Sequence, residues 1–414
     1  MHEGTTIYLD HAATTPLDPA VAEAMREVLE TVWGNASSLH RVGQEARRKI
    51  DAARDVVAKI LHCNPREVIF TGSASEGDNM ALKGLAWANQ HRGKHLVISS
   101  IEHDAVLNTA TQLERQGFEV TRVDPDSGGV VGVEAVMAAC RPDTVAVSVM
   151  WVNNEVGSIA PIAEIGAALK ARKIYFHSDV TQGIPHFPLD FTSLPADVVS
   201  MSAHKFYGPK GTGINLIRFG TPCWPLITGG AHEFELRAST ENVPGIVGTA
   251  KALELSEARR ADHEAHCAQC ALVLCESLLG HPDIALNGDP SRKVPAITNL
   301  RFRGIEAETL LLKLDLMGVC VSTGSACSSG SVEPSHVLTA MGMPLTEALG
   351  SLRFSFGWGN TVEDVEVAVG KVWEALGALA PERFKGPVLK SPILKGPILK
   401  SPGLEDSATP LRGG

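Results

Sequence analysis

Apolar positions along this chain fall into two alternating patterns. Short runs rich in β-branched and aromatic residues recur at Val68-Ile69-Phe70, His95-Leu-Val-Ile-Ser99, Thr144-Val-Ala-Val-Ser-Val-Met150, Ile174-Tyr-Phe-His177, Val198-Val-Ser-Met201 and Gly213-Ile-Asn-Leu-Ile217. Their length and polar flanks predict buried strands. Between several of them, Ala105–Gln116, Gly132–Cys140 and Pro161–Arg172 carry apolar residues on one helical face, which predicts amphipathic helices. Strands alternating with helices predict an α/β fold with a mostly parallel sheet, about seven strands wide, covered on both faces. Ligands of such sheets gather at the carboxyl ends of the strands.

A long helical stretch, Ile246–Leu279, leads out of this pattern. Shorter pieces follow at Ala296–Phe302, Glu306–Met317, Val319–Val321, Leu352–Ser355 and Val362–Leu379. They predict a smaller α+β domain that the N-terminal segment joins. The expected division is a large domain over 16–260, a small one over 1–15 and 261–382, and a tail over 383–414. In the tail, Gly386-Pro-Val-Leu-Lys390, Ser391-Pro-Ile-Leu-Lys395, Gly396-Pro-Ile-Leu-Lys400 and Ser401-Pro-Gly-Leu-Glu405 form a degenerate five-residue repeat. Proline at every fifth position forbids helix. The repeat reads as a disordered tail, or alternatively as a docking strip of apolar-Leu-Lys units.

Composition narrows the classes. The 414 residues are 44% hydrophobic and carry a net charge of −10, so a nucleic-acid binder with a basic surface is not expected. No apolar run reaches the ~18 residues of a spanning helix, and the first residues show no basic-then-apolar leader. Eight irregularly spaced cysteines suit reduced thiols in a cytoplasmic protein better than a disulfide framework.

Three segments carry the chemistry. Ser202-Ala-His-Lys205-Phe-Tyr-Gly-Pro-Lys-Gly211 sets a lysine just after an apolar strand and before a Gly/Pro turn. Such a lysine, partly desolvated, can form a Schiff base; an exposed loop lysine is the alternative. Phe176-His-Ser-Asp179-Val-Thr-Gln182 ends another strand in a carboxylate, suited to the protonated nitrogen of a pyridine cofactor or simply to capping a turn. Phe70-Thr-Gly-Ser-Ala74-Ser75-Glu76 runs from a strand into a helix, whose first N–H groups can hold a phosphate besides taking an ordinary cap. Together they describe a pyridoxal-phosphate site.

With these residues the chain resembles the cysteine desulfurases of the nitrogen-fixation and iron–sulfur-cluster-assembly type, fold-type-I pyridoxal-phosphate enzymes of aminotransferase class V. The likeness runs from Tyr8-Leu-Asp-His-Ala-Ala-Thr-Thr-Pro16 to about Asn360. It includes Gly34-Asn-Ala-Ser-Ser-Leu-His40, Glu102-His103-Asp-Ala-Val106, Asn153-Asn154-Glu-Val-Gly157, Arg237-Ala-Ser-Thr240, Gly324-Ser-Ala-Cys327-Ser and Arg353-Phe-Ser355.

The resemblance implies that Lys205 forms the Schiff base, Asp179 pairs with the ring nitrogen, Gln182 bonds the ring hydroxyl and His103 stacks on the ring. Ala74, Ser75, Ser202 and His204 would hold the phosphate, with Thr240 supplied by the second subunit of a homodimer. Asn154 and Arg353 would grip the substrate carboxylate, for which a planar guanidinium is suited, and Asn154 would also contact the cofactor. Cys327, in the small-residue run Thr323-Gly-Ser-Ala-Cys-Ser-Ser-Gly-Ser331, would take sulfur from L-cysteine as a persulfide and pass it to an acceptor such as an iron–sulfur scaffold, leaving L-alanine. A free thiol needs a nearby base to ionise, and His103 is the candidate.

No metal site is expected, although Cys327 could transiently ligate a cluster. His263, His266, Cys267 and Cys270 share one face of the long predicted helix, which reads as packing rather than a zinc site. The alternative activity is a selenocysteine lyase or another pyridoxal-phosphate lyase or aminotransferase. The chain departs from the family's pattern at Gly229–Thr240, where Phe234 and Glu235 replace Arg and Gly, and at Ser75, which replaces Thr.

Overall fold

The computed structural model describes residues 6–324 and 334–384. It opens with β1 (Ile7–Tyr8), α1 (Pro19–Thr31) and α2 (Arg41–Ile60). There follow β2 (Val68–Thr71), α3 (Ala74–Asn89), β3 (His95–Ser99), α4 (Asp104–Arg115), β4 (Glu119–Val123), α5 (Val133–Ala139), β5 (Thr144–Ser148) and α6 (Ile162–Ala171). Next come β6 (Tyr175–Asp179), β7 (Val198–Ser202), β8 (Gly213–Ile217) and the long α7 (Val243–Leu278). The chain continues through β9 (Ile284–Leu286), β10 (Ile297–Phe302), α8 (Ala307–Leu316), β11 (Val319–Cys320), α9 (His336–Ala340), α10 (Leu345–Ala348), β12 (Ser351–Ser355) and α11 (Val362–Leu379).

Seven strands form one sheet in the order β2-β8-β7-β6-β5-β3-β4. It is parallel except for β8, which runs antiparallel to both neighbours. The strands β2, β3, β5, β7 and β8 are buried along their whole length, which is why their sequences are continuously apolar rather than alternating. Strand β4 lies at the edge and exposes Glu119 and Arg122, so Glu-Val-Thr-Arg-Val gives no apolar run and the sequence pattern misses it.

Each face of the sheet has its own core. Phe176, Met201 and Ile214 pack with Val21, Ile50, Val57, Ile165 and Ile246 on one side. Ile98, Val145 and Val198 pack with Met80, Leu85, Val106 and Leu113 on the other. A third core joins Leu9 to Leu274, Leu300, Leu314, Leu352 and Val372. Helix α7 serves two of them, through Ile246 and Leu253 at its start and Cys267, Cys270 and Leu274 towards its end. At 36 residues it is about 54 Å long. Its start is fixed by the Asn242 side chain, which accepts from the Gly245 N–H at 3.1 Å.

Strand β1 pairs with β11 in parallel, and Asp10 bridges to Ser355. This pairing carries residues 10–15 over the carboxyl ends of the central strands.

Candidate active site

Five loops meet at that edge: those following β2, β3, β5, β6 and β7. After β2, Ser73 caps α3, its Oγ accepting from the Glu76 N–H at 3.1 Å. Ala74 is buried and Ser75 exposed at the helix start. Glu76 accepts from the Gly72 N–H at 2.8 Å and from Arg237 Nε at 2.8 Å, tying the 229–240 loop to this turn. After β7, Ser202 is buried and His204 Nδ1 lies 3.1 Å from Thr14 Oγ1. Burial, helped by the charges of Lys205, Lys210 and His103, lowers His204 to about 4, so its imidazole is neutral near pH 7.

Lys205 lies one turn into the same loop. Its Nζ donates to the carbonyls of Ala12 at 2.5 Å and Ala13 at 2.9 Å. Asp179 ends β6 with its carboxylate buried, Oδ1 accepting from the Thr181 N–H at 2.9 Å. Gln182 is buried nearby and donates from Nε2 to Ala12 O at 2.9 Å. His103 caps α4 after β3, Nδ1 accepting from the Ala105 N–H at 3.0 Å.

Arg353 reaches the site from β12. It is 2% exposed, donating to Asn154 O at 2.8 Å and to Asp10 Oδ1 at 2.7 Å, with Nε unpartnered. Asn154 therefore meets Arg353 through its backbone. Thr240 stands apart from this group, exposed on its loop. Cys327 lies outside the described residues.

The roles of residues 10–14 escaped the sequence reading. Tyr8–Pro16 is conspicuous as a motif, but Asp10 on Arg353, the Ala12 and Ala13 carbonyls on Lys205 and Thr14 on His204 depend on the β1–β11 pairing, which two-residue strands do not announce.

A cavity of about 20 Å³ opens beside Lys205, lined among others by His11, Gln182, His186, Tyr207 and His263. Of the histidine and cysteine face of α7 only His263 lines the cavity; the four side chains stand as two separate pairs. His263 Nε2 is 3.7 Å from Cys267 Sγ, and His266 Nε2 is 3.8 Å from Cys270 Sγ. Among the described residues no group of three or more His, Cys, Asp or Glu is arranged to hold a metal.

Burial, helped by His186, His11 and His266, pushes His263 down to about 3. A depressed histidine favours folding while it is neutral, so its contribution is full above about pH 6.5 and is lost as pH falls. Between pH 7 and pH 5 the wild type is expected to lose about 2 kcal/mol that a His263→Phe variant does not lose. Denaturant unfolding of both proteins at the two pH values measures the difference.

The altered 229–240 loop is anchored by a buried ion pair. Glu233 accepts from Arg54 at 2.7 and 2.9 Å and from the Phe70 N–H at 2.9 Å, and the Phe234 ring lies 5.0 Å from the Arg54 guanidinium. Glu233, Phe234 and Glu235 all have positive φ, between 46° and 67°. At Glu235, where the resembling family has glycine, the side chain costs about 1 kcal/mol in this conformation. Glu235→Gly is therefore expected to raise stability by about that amount, read as a higher denaturant midpoint with an unchanged slope.

The donor set fits pyridoxal phosphate. Strands β2, β7 and β6 end in the α3 N-terminus, Lys205 and Asp179 in that spatial order, with β8 between β2 and β7. At about 4.8 Å per strand spacing, an anion cradle, an amine and a buried carboxylate are set out in a row across the sheet.

Comparison with known proteins agrees with this arrangement. The aminotransferase class-V family model matches residues 7–367. The chain is 46% identical over 364 residues to the cysteine desulfurase IscS of Methanosarcina thermophila, covering 88% of this chain and 90% of that one. It is 44% identical over 363 residues to cysteine desulfurase IscS of Clostridium botulinum, strain Hall, covering 87% and 91%. Among solved structures, a NifS-like protein superposes with a TM-score of 0.85 at 36% identity, covering 90% of this chain and all of that one. SspA in complex with cysteine superposes at 0.77 with 34% identity, covering 85% and 99%.

Proposed function

This chain belongs to the class-V aminotransferase family and is a cysteine desulfurase, and on that premise we propose how its own residues divide the work of taking sulfur from L-cysteine. The observation that carries the reading is the row of α3 N-terminus, Lys205 and Asp179 across the carboxyl ends of β2, β7 and β6. Pyridoxal phosphate, when bound, supplies an electron sink that weakens the bonds at the substrate's α- and β-carbons.

The α3 N-terminus with Ala74, Ser75 and Ser202 would hold the phosphate, with His204 as a neutral N–H donor. Asp179 would keep the ring nitrogen protonated, Gln182 would bond the ring hydroxyl and His103 would stack on the ring. Lys205 Nζ, now donating to the Ala12 and Ala13 carbonyls, would be the amine that holds the cofactor and would carry the α-proton of the substrate. Arg353, oriented by Asp10 and Asn154 O, binds the substrate carboxylate, with the Asn154 side chain beside it.

Cys327 as thiolate, with its proton passed to His103, attacks the substrate sulfur. The sulfur–carbon bond breaks, the carbon takes a proton and leaves as L-alanine, and Cys327 retains both sulfurs as a persulfide. Atoms balance as one thiol plus L-cysteine giving one persulfide plus L-alanine. An acceptor protein's thiol, for example on an iron–sulfur scaffold, then takes the outer sulfur.

The molecule acts as a homodimer in which Thr240, exposed on its own chain, reaches the phosphate of the second copy. Residues 16–260 form the large domain, with 1–15 and 261–382 as the small one. The cytoplasm is its place, consistent with the seven cysteines among the described residues all being free thiols; no helix among those residues is long and apolar enough to cross a membrane. The 383–414 tail lies outside the described residues, apart from its first two positions.

The test is stoichiometric. Protein supplied with pyridoxal phosphate, L-cysteine and a mild reductant should release alanine and sulfide in equal amounts. Sulfide with pyruvate in place of alanine, or no release, overturns the assignment.

A further inference from the structure

Beneath Asp179 the structure buries two more carboxyl groups. Asp78 on α3 and Glu102 after β3 are each 1% exposed or less. Each has one oxygen satisfied and the other bare. Glu102 Oε1 accepts from Ser99 Oγ at 2.5 Å and from the Met150 N–H at 2.7 Å, while Oε2 has no partner. Asp78 Oδ1 accepts from Ser200 Oγ, while Oδ2 has no partner.

Ser200 is the register partner of Asp179 across β6 and β7, so Asp78 bonds a serine that lies beside Asp179 in the sheet. Glycine at position 77 permits this approach. A Cβ there would collide with Asn215 Oδ1 and stand 3.1 Å from Ser200 Cβ.

The hydrogen bonds around Asp78 have one direction. Ser200 spends its proton on Asp78 Oδ1, so His177 Nε2, 3.1 Å away, must donate to Ser200 Oγ. Burial keeps the imidazole neutral, so with Nε2 donating its Nδ1 accepts from Ser148 Oγ at 2.9 Å. Its Nε2 lies 3.6 Å from Asp78 Oδ1, but burial pushes His177 down to about 3, so it supplies no cation. Among the described residues no arginine or lysine pairs with either acid. An ionised carboxylate with a bare oxygen in such a place is far costlier than a neutral acid.

On the pyridoxal-phosphate reading of the site, we propose that Asp78 and Glu102 are positioning residues held as neutral carboxylic acids, so that Asp179 carries the one negative charge beneath the ring. The groups acting on Asp78 are Ser200, His177, Asp179 and Glu102, and on Glu102 they are Ser99, the Met150 N–H and Asp179. Burial raises both acids, Glu102 to about 8, and the Asp179 carboxylate adds to each shift. A second charge there would compete with Asp179 for the ring nitrogen's proton and repel it through a dry interior. A neutral acid instead leaves the attraction undivided.

Infrared spectroscopy of the full chain tests this, first without cofactor. At about pH 7 the wild type should show the carbonyl stretch of un-ionised carboxylic acids, although ordinary Asp and Glu are ionised there. Asp78→Asn and Glu102→Gln should each remove part of the band. With pyridoxal phosphate added, both variants should keep its dissociation constant within about threefold of wild type and leave the pH profile of its absorbance unchanged.

Absence of the band in wild type overturns the proposal without any variant having to fold. So does an Asp78→Asn protein that folds but loses about tenfold or more in cofactor affinity with a shifted absorbance profile, because an amide would then fail where a charge was needed. If the protein binds no pyridoxal phosphate, the proposed function falls while the infrared result still decides the state of the two acids.

Discussion

Lys205→Ala is expected to lower alanine release from L-cysteine by roughly ten-thousandfold, the scale of losing a covalent and proton-transferring group together. The side chain lies at the mouth of a small cavity and its Nζ contacts include two carbonyls of residues 12 and 13, so truncation leaves the β7 strand and its turn intact. The variant should keep the wild-type unfolding free energy within about 1 kcal/mol while turnover is lost. Arginine at 205 should fail equally, since guanidinium stays protonated and cannot take up a proton. Turnover by Lys205→Ala within tenfold of wild type would remove Lys205 from the mechanism.

Asp179→Asn carries the second large effect. The buried carboxylate, fixed by the Thr181 N–H, is the anion that keeps the ring nitrogen protonated. An amide has the same shape but no charge, so the electron sink weakens. Turnover is expected to fall by about a thousandfold, with weaker cofactor binding measured by titration. The contrast with Asp78→Asn is the informative part. Two neighbouring buried aspartates, one beside Ser200 and the other bonded to it, respond oppositely to the same substitution, because one is used as a charge and the other as a neutral acid. Equal losses at both positions would show that the two share one role.

The arrangement of the central sheet was legible because its strands are buried on both faces, which turns position in the fold into unbroken apolar runs. Lys205, Asp179 and the Ser73–Ser75 turn were legible for the same reason: each directly follows such a run. Edge strand β4 was not, since Glu119 and Arg122 face water. Nor were the contacts of Asp10, Ala12 and Thr14, which arise from pairing between segments about 300 residues apart, a distance at which spacing along the chain carries no signal. The Arg54–Glu233 pair was hidden likewise, although the Gly229–Thr240 segment was singled out as unusual. The cysteine and histidine face of α7 resembled a ligand set in sequence. In the fold it became two side-chain pairs at i, i+4 spacing, of which only His263 lines the cavity.

The central claim is that sulfur leaves L-cysteine for Cys327 at a site assembled on Lys205 and Asp179. The most direct measurement supplies L-cysteine labelled with radioactive sulfur to the protein loaded with pyridoxal phosphate, stops the reaction before reductant is added, and maps the label by peptide. The account predicts one reductant-labile sulfur per chain on the peptide containing Cys327, alanine in matching amount, and no protein-bound label in Cys327→Ala. Label on another cysteine, or a Cys327→Ala protein that produces alanine and sulfide at the wild-type rate, would contradict it.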